Sequence, residues 1–179
     1  MKIVQTSLKG CVVLTPTVFS DGRGRFFESY KKEAFNEALG QEVNFVQDNE
    51  SFSSKGVLRG LHFQKGKCAQ AKLVRVVHGS VLDVAVDLRS DSTTYGKHFS
   101  IELSADNKKQ LFVPRGFAHG FVVLSDTAVF SYKCDNYYNK ESESGIIYND
   151  STLNIDWILP SEKLQLSEKD LLLPKFKSL

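Results

Sequence analysis

The sequence predicts a mainly β protein, a sandwich or jelly-roll barrel with a few short helices. Short apolar runs rich in valine and leucine recur from residue 45 onward, and turn-forming residues separate them. Clear helical periodicity occurs in only one stretch of the first two-thirds of the chain. Many short strands at such spacing are typical of sandwiches and jelly-roll barrels.

The N-terminal quarter contains two short apolar pieces and the clearest helix. The apolar pieces at residues 12–14 and 18–19 predict strands, and the glycine-rich residues 21–25 predict a turn or loop. Ser29 is a candidate cap for a helix over residues 31–39, which Gly40 would end.

The central region predicts a series of strands. The run at residues 57–64 is apolar and strand-like, and His78-Gly79-Ser80 supplies a plausible hairpin turn between the next two strands. The strands predicted after the first run cover residues 72–77, 81–88, 97–103, 110–113, 119–124 and 128–134. Alternation in the 81–88 strand places its even-numbered leucines and valines on one face and Asp83 and Asp87 on the other. From residue 155 the chain predicts a closing segment with a short helix near Ser167.

Composition excludes several classes of protein. A length of 179 residues fits one domain, residues 1–179, and 23 Lys and Arg against 21 Asp and Glu give a charge of only +2, too balanced for a nucleic-acid-binding face. The N-terminus lacks the apolar core of a signal peptide, and no later run approaches the ~20 apolar residues of a membrane span, so we expect no contact with a membrane. The three cysteines are odd in number and form no CxxC pair, so we expect a cytoplasmic protein with neither a disulfide framework nor a zinc ribbon.

Several side chains of the predicted strands suit proton transfer. His62 offers an imidazole as the base, and Tyr132 offers a phenol able to return a proton. Lys72 and Arg59 add cations suited to a diphosphate. This combination is typical of an enzyme that moves protons beside a carbonyl, although Tyr132 could equally be a core residue and the two cations could be ordinary charges at strand edges.

The Pro114-x-Gly116-x-x-His119 pattern is similar to the second signature of cupin barrels. Metal-binding cupins add two histidines in HxH spacing, because a divalent ion needs at least three converging ligands. No two of the four histidines have that spacing. We therefore expect a cupin-like barrel without a catalytic metal or other cofactor.

The environment of His62 poses two questions for the structure. A carboxylate would hold its ring and stabilise the imidazolium, and Asp83, Asp87 and Asp170 are all candidates. Strict alternation also places Arg59 and His62 on opposite faces of one strand. Both side chains reach one pocket only if Gly60 marks a bulge or twist.

Motifs spread along nearly the whole chain closely resemble those of the dTDP-4-dehydrorhamnose 3,5-epimerase family. This resemblance implies a double-stranded β-helix, which is the jelly-roll barrel of cupins. They occur in the family's order. The motifs are Asp21-x-Arg23-Gly24, Phe27-Glu28, Gln47-Asp48-Asn49-x-Ser51, Gly56 to Gln64, Lys72-Leu73-Val74, Asp83 to Asp87, Gly116 to Phe121, Tyr132-Lys133 and Asn149-Asp150.

The resemblance implies a role for each site residue. His62, held by Asp170, would remove the protons at carbons 3 and 5 of a 4-keto sugar, Tyr132 would reprotonate from the other side, and Lys72 would stabilise the enolate. The residues implied to bind substrate fall into two groups. The residues that line the sugar pocket or lie near it are Gln47, Asp48, Asn49, Arg59, His119 and Lys169. The residues at the nucleotide end are Arg23, Phe26, Glu28, Tyr138 and Glu143. Of these, Arg23 would contact a phosphate, Phe26 and Tyr138 would stack on thymine, and Glu28 would reach across a dimer.

The expected substrate is dTDP-4-dehydro-6-deoxy-D-glucose, and the expected product is dTDP-4-dehydro-L-rhamnose. The family implies a homodimer, and the open edges of a jelly roll favour one. Three alternatives stay open: an epimerase acting at a single carbon, a 3,4-ketoisomerase on a related sugar, and a nucleotide-sugar-binding barrel without catalysis.

Overall fold

Two β-sheets packed face to face form the body of the protein. The structure, a computed structural model, describes all 179 residues. The strands are β1 Lys2–Gln5, β2 Val12–Thr15, β3 Val18–Asp21, β4 Gly24–Phe27, β5 Gln47–Ser54, β6 Leu58–Gln64, β7 Lys72–His78, β8 Ser80–Asp87, β9 His98–Ser104, β10 Gln110–Val113, β11 Phe117–Val123, β12 Thr127–Cys134 and β13 Glu143–Gly145, and the α-helices are α1 Lys32–Leu39 and α2 Glu168–Leu171.

The strand order is that of a jelly roll. One sheet has six strands in the order β1-β2-β10-β7-β12-β5, and the other has five in the order β13-β6-β11-β8-β9. All pairings between these strands are antiparallel. The predicted jelly-roll, cupin-like barrel is therefore confirmed.

Three apolar clusters hold the layers together. The largest lies between the two sheets and includes Val74, Phe121 and Phe130. A second covers the outer face of the five-stranded sheet, where the C-terminal part of the chain contributes Trp157 and Phe176. The third lies under α1 on the outer face of the six-stranded sheet. Each sheet is thus covered on both faces over much of its area.

Burial on both faces changes the expected environment of β8. The strand pairs with β9 on one side and β11 on the other, and Leu82, Val84 and Val86 pack on the outer face as the alternation predicts. The opposite face points into the barrel, so Asp83 and Asp87 are both fully buried. Each of these carboxylates therefore requires a buried partner.

The first helix begins later than the capping pattern predicts. Lys31, in an extended conformation, precedes the helix, and no side chain caps it. The Ser29 carbonyl instead accepts a hydrogen bond from the Gln110 side chain at 2.8 Å, which ties Ser29 to the sheet. The predicted end is confirmed, because Gly40 adopts φ 73°, where glycine carries no steric cost.

Residues 21–25 form the predicted turn, which joins the two strands of a hairpin. Strands β3 and β4 make a two-stranded hairpin joined by the two residues Gly22 and Arg23. The Asp21 carboxylate accepts a hydrogen bond from the Arg23 N–H at 2.9 Å and pairs with the Arg23 guanidinium at 2.6 Å. These local contacts close the turn.

No helix in the protein is long and apolar enough to cross a membrane.

Candidate active site

A cavity of about 530 Å³ opens between the two sheets. It combines the apolar floor of the inter-sheet core with a ring of charged and polar side chains. Its lining comprises Glu50, Ser51, Val57, Leu58, Arg59, His62, Lys72, His119, Phe121, Phe130, Tyr132, Gln165, Leu166, Ser167, Lys169 and Asp170. Four residues predicted to be catalytic and three predicted to bind substrate therefore share one cavity.

A bulge in β6 brings Arg59 and His62 to the same face. His62 pairs with His119 of β11, and Arg59 pairs with Phe121, so two residues of β6 oppose the single residue Gly120. The backbones are so close that a Cβ atom on Gly60 would lie 2.6 Å from the Gly120 Cα. Gly60 also has φ 135°, which favours glycine. The bulge predicted from the glycine is therefore confirmed.

His62 and Asp170 form a hydrogen-bonded pair at the cavity wall. The distance from His62 Nε2 to Asp170 Oδ1 is 2.6 Å, and only 6% of the Asp170 side chain is exposed. Burial alone would raise the pKa of Asp170, but the hydrogen bond and electrostatic attraction of His62, with further hydrogen bonds from Gly60 and Ser167, outweigh it and hold that pKa below its ordinary value. Of the three candidate carboxylates, Asp170 is the one that contacts His62.

The other two candidate carboxylates have different partners. Asp83 contacts His119 Nε2 through both of its oxygens, at 3.0 and 2.9 Å, and both side chains are buried. Asp87 pairs with Arg89 at 2.7 Å and accepts further hydrogen bonds from two hydroxyl groups. The contact with Asp83, which the sequence patterns did not predict, fixes the imidazole of His119 in the cavity lining.

Tyr132 and Lys72 enter the cavity from the sheet opposite His62. Tyr132 belongs to β12 and Lys72 to β7, neighbouring strands of the six-stranded sheet, and the Lys72 Nζ lies 5.7 Å from the centre of the Tyr132 ring. Burial raises the pKa of Tyr132, with a smaller contribution from Cys134. Burial lowers the pKa of Lys72. A protonated phenol and a partly desolvated ammonium thus face the imidazole across the cavity.

A chain of three polar residues borders the cavity. The Tyr138 hydroxyl donates a hydrogen bond to Glu143 Oε2 at 2.9 Å, and the Lys169 ammonium lies 2.5 Å from the same oxygen. Burial would raise the pKa of Glu143, but the contacts with Lys169 and Tyr138 lower it. These three predicted binding residues therefore lie together beside the His62–Asp170 pair.

The remaining predicted binding residues lie in or near the cavity or on the surface. Arg59 donates a hydrogen bond to Ser53 at 3.1 Å, and the Gln47 side-chain amide donates one to Asn49 at 3.0 Å. Asp48 points away from the cavity and pairs with Lys133 at 2.9 Å. The structure places the other three predicted residues on the exposed β3–β4 hairpin or just after it, outside the cavity: Arg23, Phe26 and Glu28.

Some cavity residues had no predicted role. Glu50 and Ser51 come from β5, an edge strand made almost entirely of polar residues, and Gln165 comes from the segment before α2. Strand β5 is polar at nearly every position, so no periodicity in the sequence distinguished the residues that line the cavity. All three cysteines are free, and no three His, Cys, Asp or Glu side chains converge where they could hold a metal ion.

Comparison with known proteins gives a consistent result. The sequence model of the dTDP-4-dehydrorhamnose 3,5-epimerase family matches residues 5–178. The dTDP-4-dehydrorhamnose 3,5-epimerase of Escherichia coli is 55% identical over 170 residues, which cover 95% of this chain and 91% of that protein.

Solved structures agree with the sequence matches. The dTDP-4-dehydrorhamnose 3,5-epimerase of Elizabethkingia anophelis is 62% identical with a TM-score of 0.96, covering 99% of this chain and 97% of that one. A dTDP-6-deoxy-D-glucose-3,5-epimerase of Legionella pneumophila, solved with dTDP-4-keto-L-rhamnose, is 46% identical with a TM-score of 0.95, covering 98% of this chain and 93% of that one. The chain therefore belongs to the dTDP-4-dehydrorhamnose 3,5-epimerase family and is an isomerase.

Proposed function

We propose that the protein converts dTDP-4-dehydro-6-deoxy-D-glucose to dTDP-4-dehydro-L-rhamnose in this cavity, by inverting the configuration at carbons 3 and 5. The observation that carries the proposal is the placement of a carboxylate-held imidazole on one sheet and a phenol on the other, around one cavity. The Legionella relative bound to a 4-keto sugar nucleotide supports the substrate class. A ketone acidifies the neighbouring C–H bonds, so the reaction needs only proton transfers and no metal ion.

His62 acts as the base in this proposal. Asp170 is ionised because its pKa is lowered, so it accepts a hydrogen bond and His62 Nε2 must carry the hydrogen. The other ring nitrogen, Nδ1, is then unprotonated and can take a proton from the sugar. Asp170 stabilises the imidazolium that results.

Lys72 and Tyr132 complete the reaction from the opposite sheet. Lys72 places its ammonium where negative charge develops on the carbonyl oxygen, and such groups stabilise enolates most strongly in a partly dry site. Tyr132 then delivers a proton to the other face of the ring carbon. Because its pKa is raised, Tyr132 carries its proton at neutral pH.

The remaining polar residues bind the substrate in this proposal. Arg59, His119, Gln47 and Asn49 contact the sugar and diphosphate, and Lys169 lies at the boundary with the nucleotide. The residues proposed for the nucleotide end are Arg23, Phe26, Glu28, Tyr138 and Glu143, with Asp48 holding the neighbouring strand through Lys133.

A homodimer belongs to the proposal. Strand β5 is an unpaired edge of the six-stranded sheet and exposes the ring of Phe52, and the β3–β4 hairpin exposes the rings of Phe19 and Phe26. Unpaired edges and exposed apolar patches favour association. In a dimer, Glu28 would approach the partner's cavity. Light scattering during gel filtration should give twice the chain mass of 20.1 kDa, and a monomer would contradict this part of the proposal.

Incubation with the substrate in heavy water tests the proposed reaction. Because both protons leave through enolates, NMR should detect deuterium at carbons 3 and 5 of the product, at a rate that EDTA does not change. Label at one carbon would indicate a single-site epimerase, and a displaced carbonyl would indicate a 3,4-ketoisomerase. Binding without exchange would indicate a non-catalytic barrel. Each of these three outcomes would overturn the proposal.

Replacement of Lys72 by methionine should separate stability from activity. The pKa of Lys72 is lowered on folding from 10.5, so at neutral pH the unfolded chain holds this proton more tightly and the buried charge destabilises the fold. In the parent protein the free energy of unfolding should therefore rise as the pH increases from the lowered folded-state pKa of Lys72 toward 10.5. The Lys72→Met variant should lose this rise.

The Lys72→Met variant should be more stable than the parent at pH 7, while its turnover should fall about 10²-fold because the enolate loses its cation. Urea unfolding and product NMR measure the two effects. Lys97→Met, outside the cavity, serves as the control and should leave turnover unchanged. A Lys72→Met variant with parental turnover would remove Lys72 from the mechanism.

A further inference from the structure

Asp150 is a buried carboxylate that the proposed chemistry does not use. Only 3% of the residue is exposed. Its Oδ1 accepts hydrogen bonds from the N–H groups of Thr152 and Leu153 at 2.8 and 3.0 Å, and its Oδ2 accepts one from the Phe176 N–H at 2.9 Å. Burial would raise the pKa of Asp150, but these backbone donors lower it. Asp150 is therefore an ionised link between two distant parts of the chain.

The link to Phe176 is one of three contacts that hold the chain near its C-terminus. The Ile147 N–H donates a hydrogen bond to the Pro174 carbonyl at 2.9 Å. Leu173 lies against Gly145, so closely that a Cβ atom on that glycine would be 2.7 Å from Leu173 Cδ1. We name these three contacts, between residues 145–150 and residues 173–176, the C-terminal clasp.

The clasp connects directly to both members of the His62–Asp170 pair. Gly145 is the register partner of His62 in the β13–β6 ladder. Asp170 lies three residues before Leu173 on the clasped chain. The position of His62 therefore depends on Gly145, and the position of Asp170 depends on Leu173. The clasp holds both Gly145 and Leu173.

Local structure alone is too weak to hold Asp170 in place. Helix α2 has only four residues, and isolated helices this short are unstable in water. On its N-terminal side the segment is anchored by Gln165, whose backbone exchanges hydrogen bonds with Leu58 and Gly56 at 2.9 and 2.8 Å. On the C-terminal side the anchor is the clasp.

We propose that Asp150 is a positioning residue that acts through Asp170 on the base, by fixing the C-terminal side of the segment that carries Asp170. The inference rests on the proposed function, because it concerns the rate of proton removal by His62. Loss of the clasp would let Asp170 move away from His62, and a misplacement of 1 Å can cost about 10²-fold in rate.

The variant Asp150→Asn tests the proposal. The amide group cannot accept at both ends, so one of the backbone donors, at Phe176 or at the 152–153 turn, is left facing an N–H group. Turnover should fall by about 10-fold to 10²-fold with a smaller change in KM, because all the proposed substrate-binding residues except Lys169 lie on other elements. Asn107→Ala is the matched control, since Asn107 makes similar hydrogen bonds in the turn between β9 and β10, away from the cavity.

A double-mutant cycle separates positioning from general loss of structure. In an Asp170→Asn background, Asp150→Asn should cause no further loss of turnover, because the residue through which it acts is already neutral. Equal losses in both backgrounds, or no loss in the parent background, would overturn the inference. If Asp150→Asn does not fold, Leu173→Ala weakens the same clasp at its contact with Gly145 and must give the same non-additivity. An inactive parent protein would instead overturn the proposed function.

Discussion

Replacing His62 with alanine should abolish most of the epimerase activity without unfolding the protein. General base catalysis typically contributes 10²–10⁴-fold, and His62 is the imidazole that Asp170 holds at the cavity wall. Turnover and deuterium incorporation at both carbons should fall together by about that factor, because one base removes both protons in the proposed mechanism. Product NMR in heavy water measures both quantities in a single incubation.

The matched control is His78→Ala. His78 is an exposed histidine at the end of β7, outside the cavity, so its loss should leave turnover at the parent value. Circular dichroism and thermal unfolding establish that each variant is folded. Turnover at the parent rate in folded His62→Ala would contradict the assignment of the base. Loss of exchange at only one carbon would mean that a second base serves the other carbon.

Tyr132→Phe should uncouple proton exchange from inversion. The variant keeps the ring that packs between Phe130 and the cavity but removes the hydroxyl group. His62 can still remove a proton and return one to the same face, so deuterium should enter the recovered substrate with its configuration retained. Formation of the inverted product should fall by about 10²–10⁴-fold, the usual contribution of a general acid.

Tyr30→Phe provides the comparison for this variant. Tyr30 packs against Phe35 and Phe45 under α1, on the outer side of the six-stranded sheet, so loss of its hydroxyl should not affect inversion. If Tyr132→Phe forms inverted product at the parent rate, the proton comes from another donor. If exchange into recovered substrate is lost as completely as inversion, Tyr132 acts before or during proton removal.

Apolar strands could be predicted from the sequence, whereas polar strands could not. Strands β7 and β8 are rich in valine and leucine because both faces are covered, and the turn between them was recognisable from its glycine. Strand β5 has a polar residue at nearly every position because one face lines the cavity and the other meets solvent. Hydrophobic periodicity therefore carries no signal for it, and β1, at the mostly exposed edge of the same sheet, is equally inconspicuous.

Long-range contacts explain what the sequence could not decide at the site. Spacing left three aspartates as partners for His62, and the choice of Asp170 depends on how a segment 108 residues away packs on β6. The bulge could be predicted, because a glycine between Arg59 and His62 has few other uses in a buried strand. Family resemblance supplied the proposed roles of the surface residues, since no periodicity distinguishes Arg23 or Glu28 from ordinary exposed charges.

The contact between Gly60 and Gly120 restricts how the enzyme can be redesigned. A methyl group on Gly60 would meet the Gly120 Cα at 2.6 Å, and one on Gly120 would meet the Arg59 carbonyl oxygen at 2.8 Å. Mutant libraries that seek a new sugar specificity should therefore leave both glycines unchanged and vary the wall formed by β5 instead. Its polar side chains at the edge of the barrel can change size without displacing the backbone that carries the base.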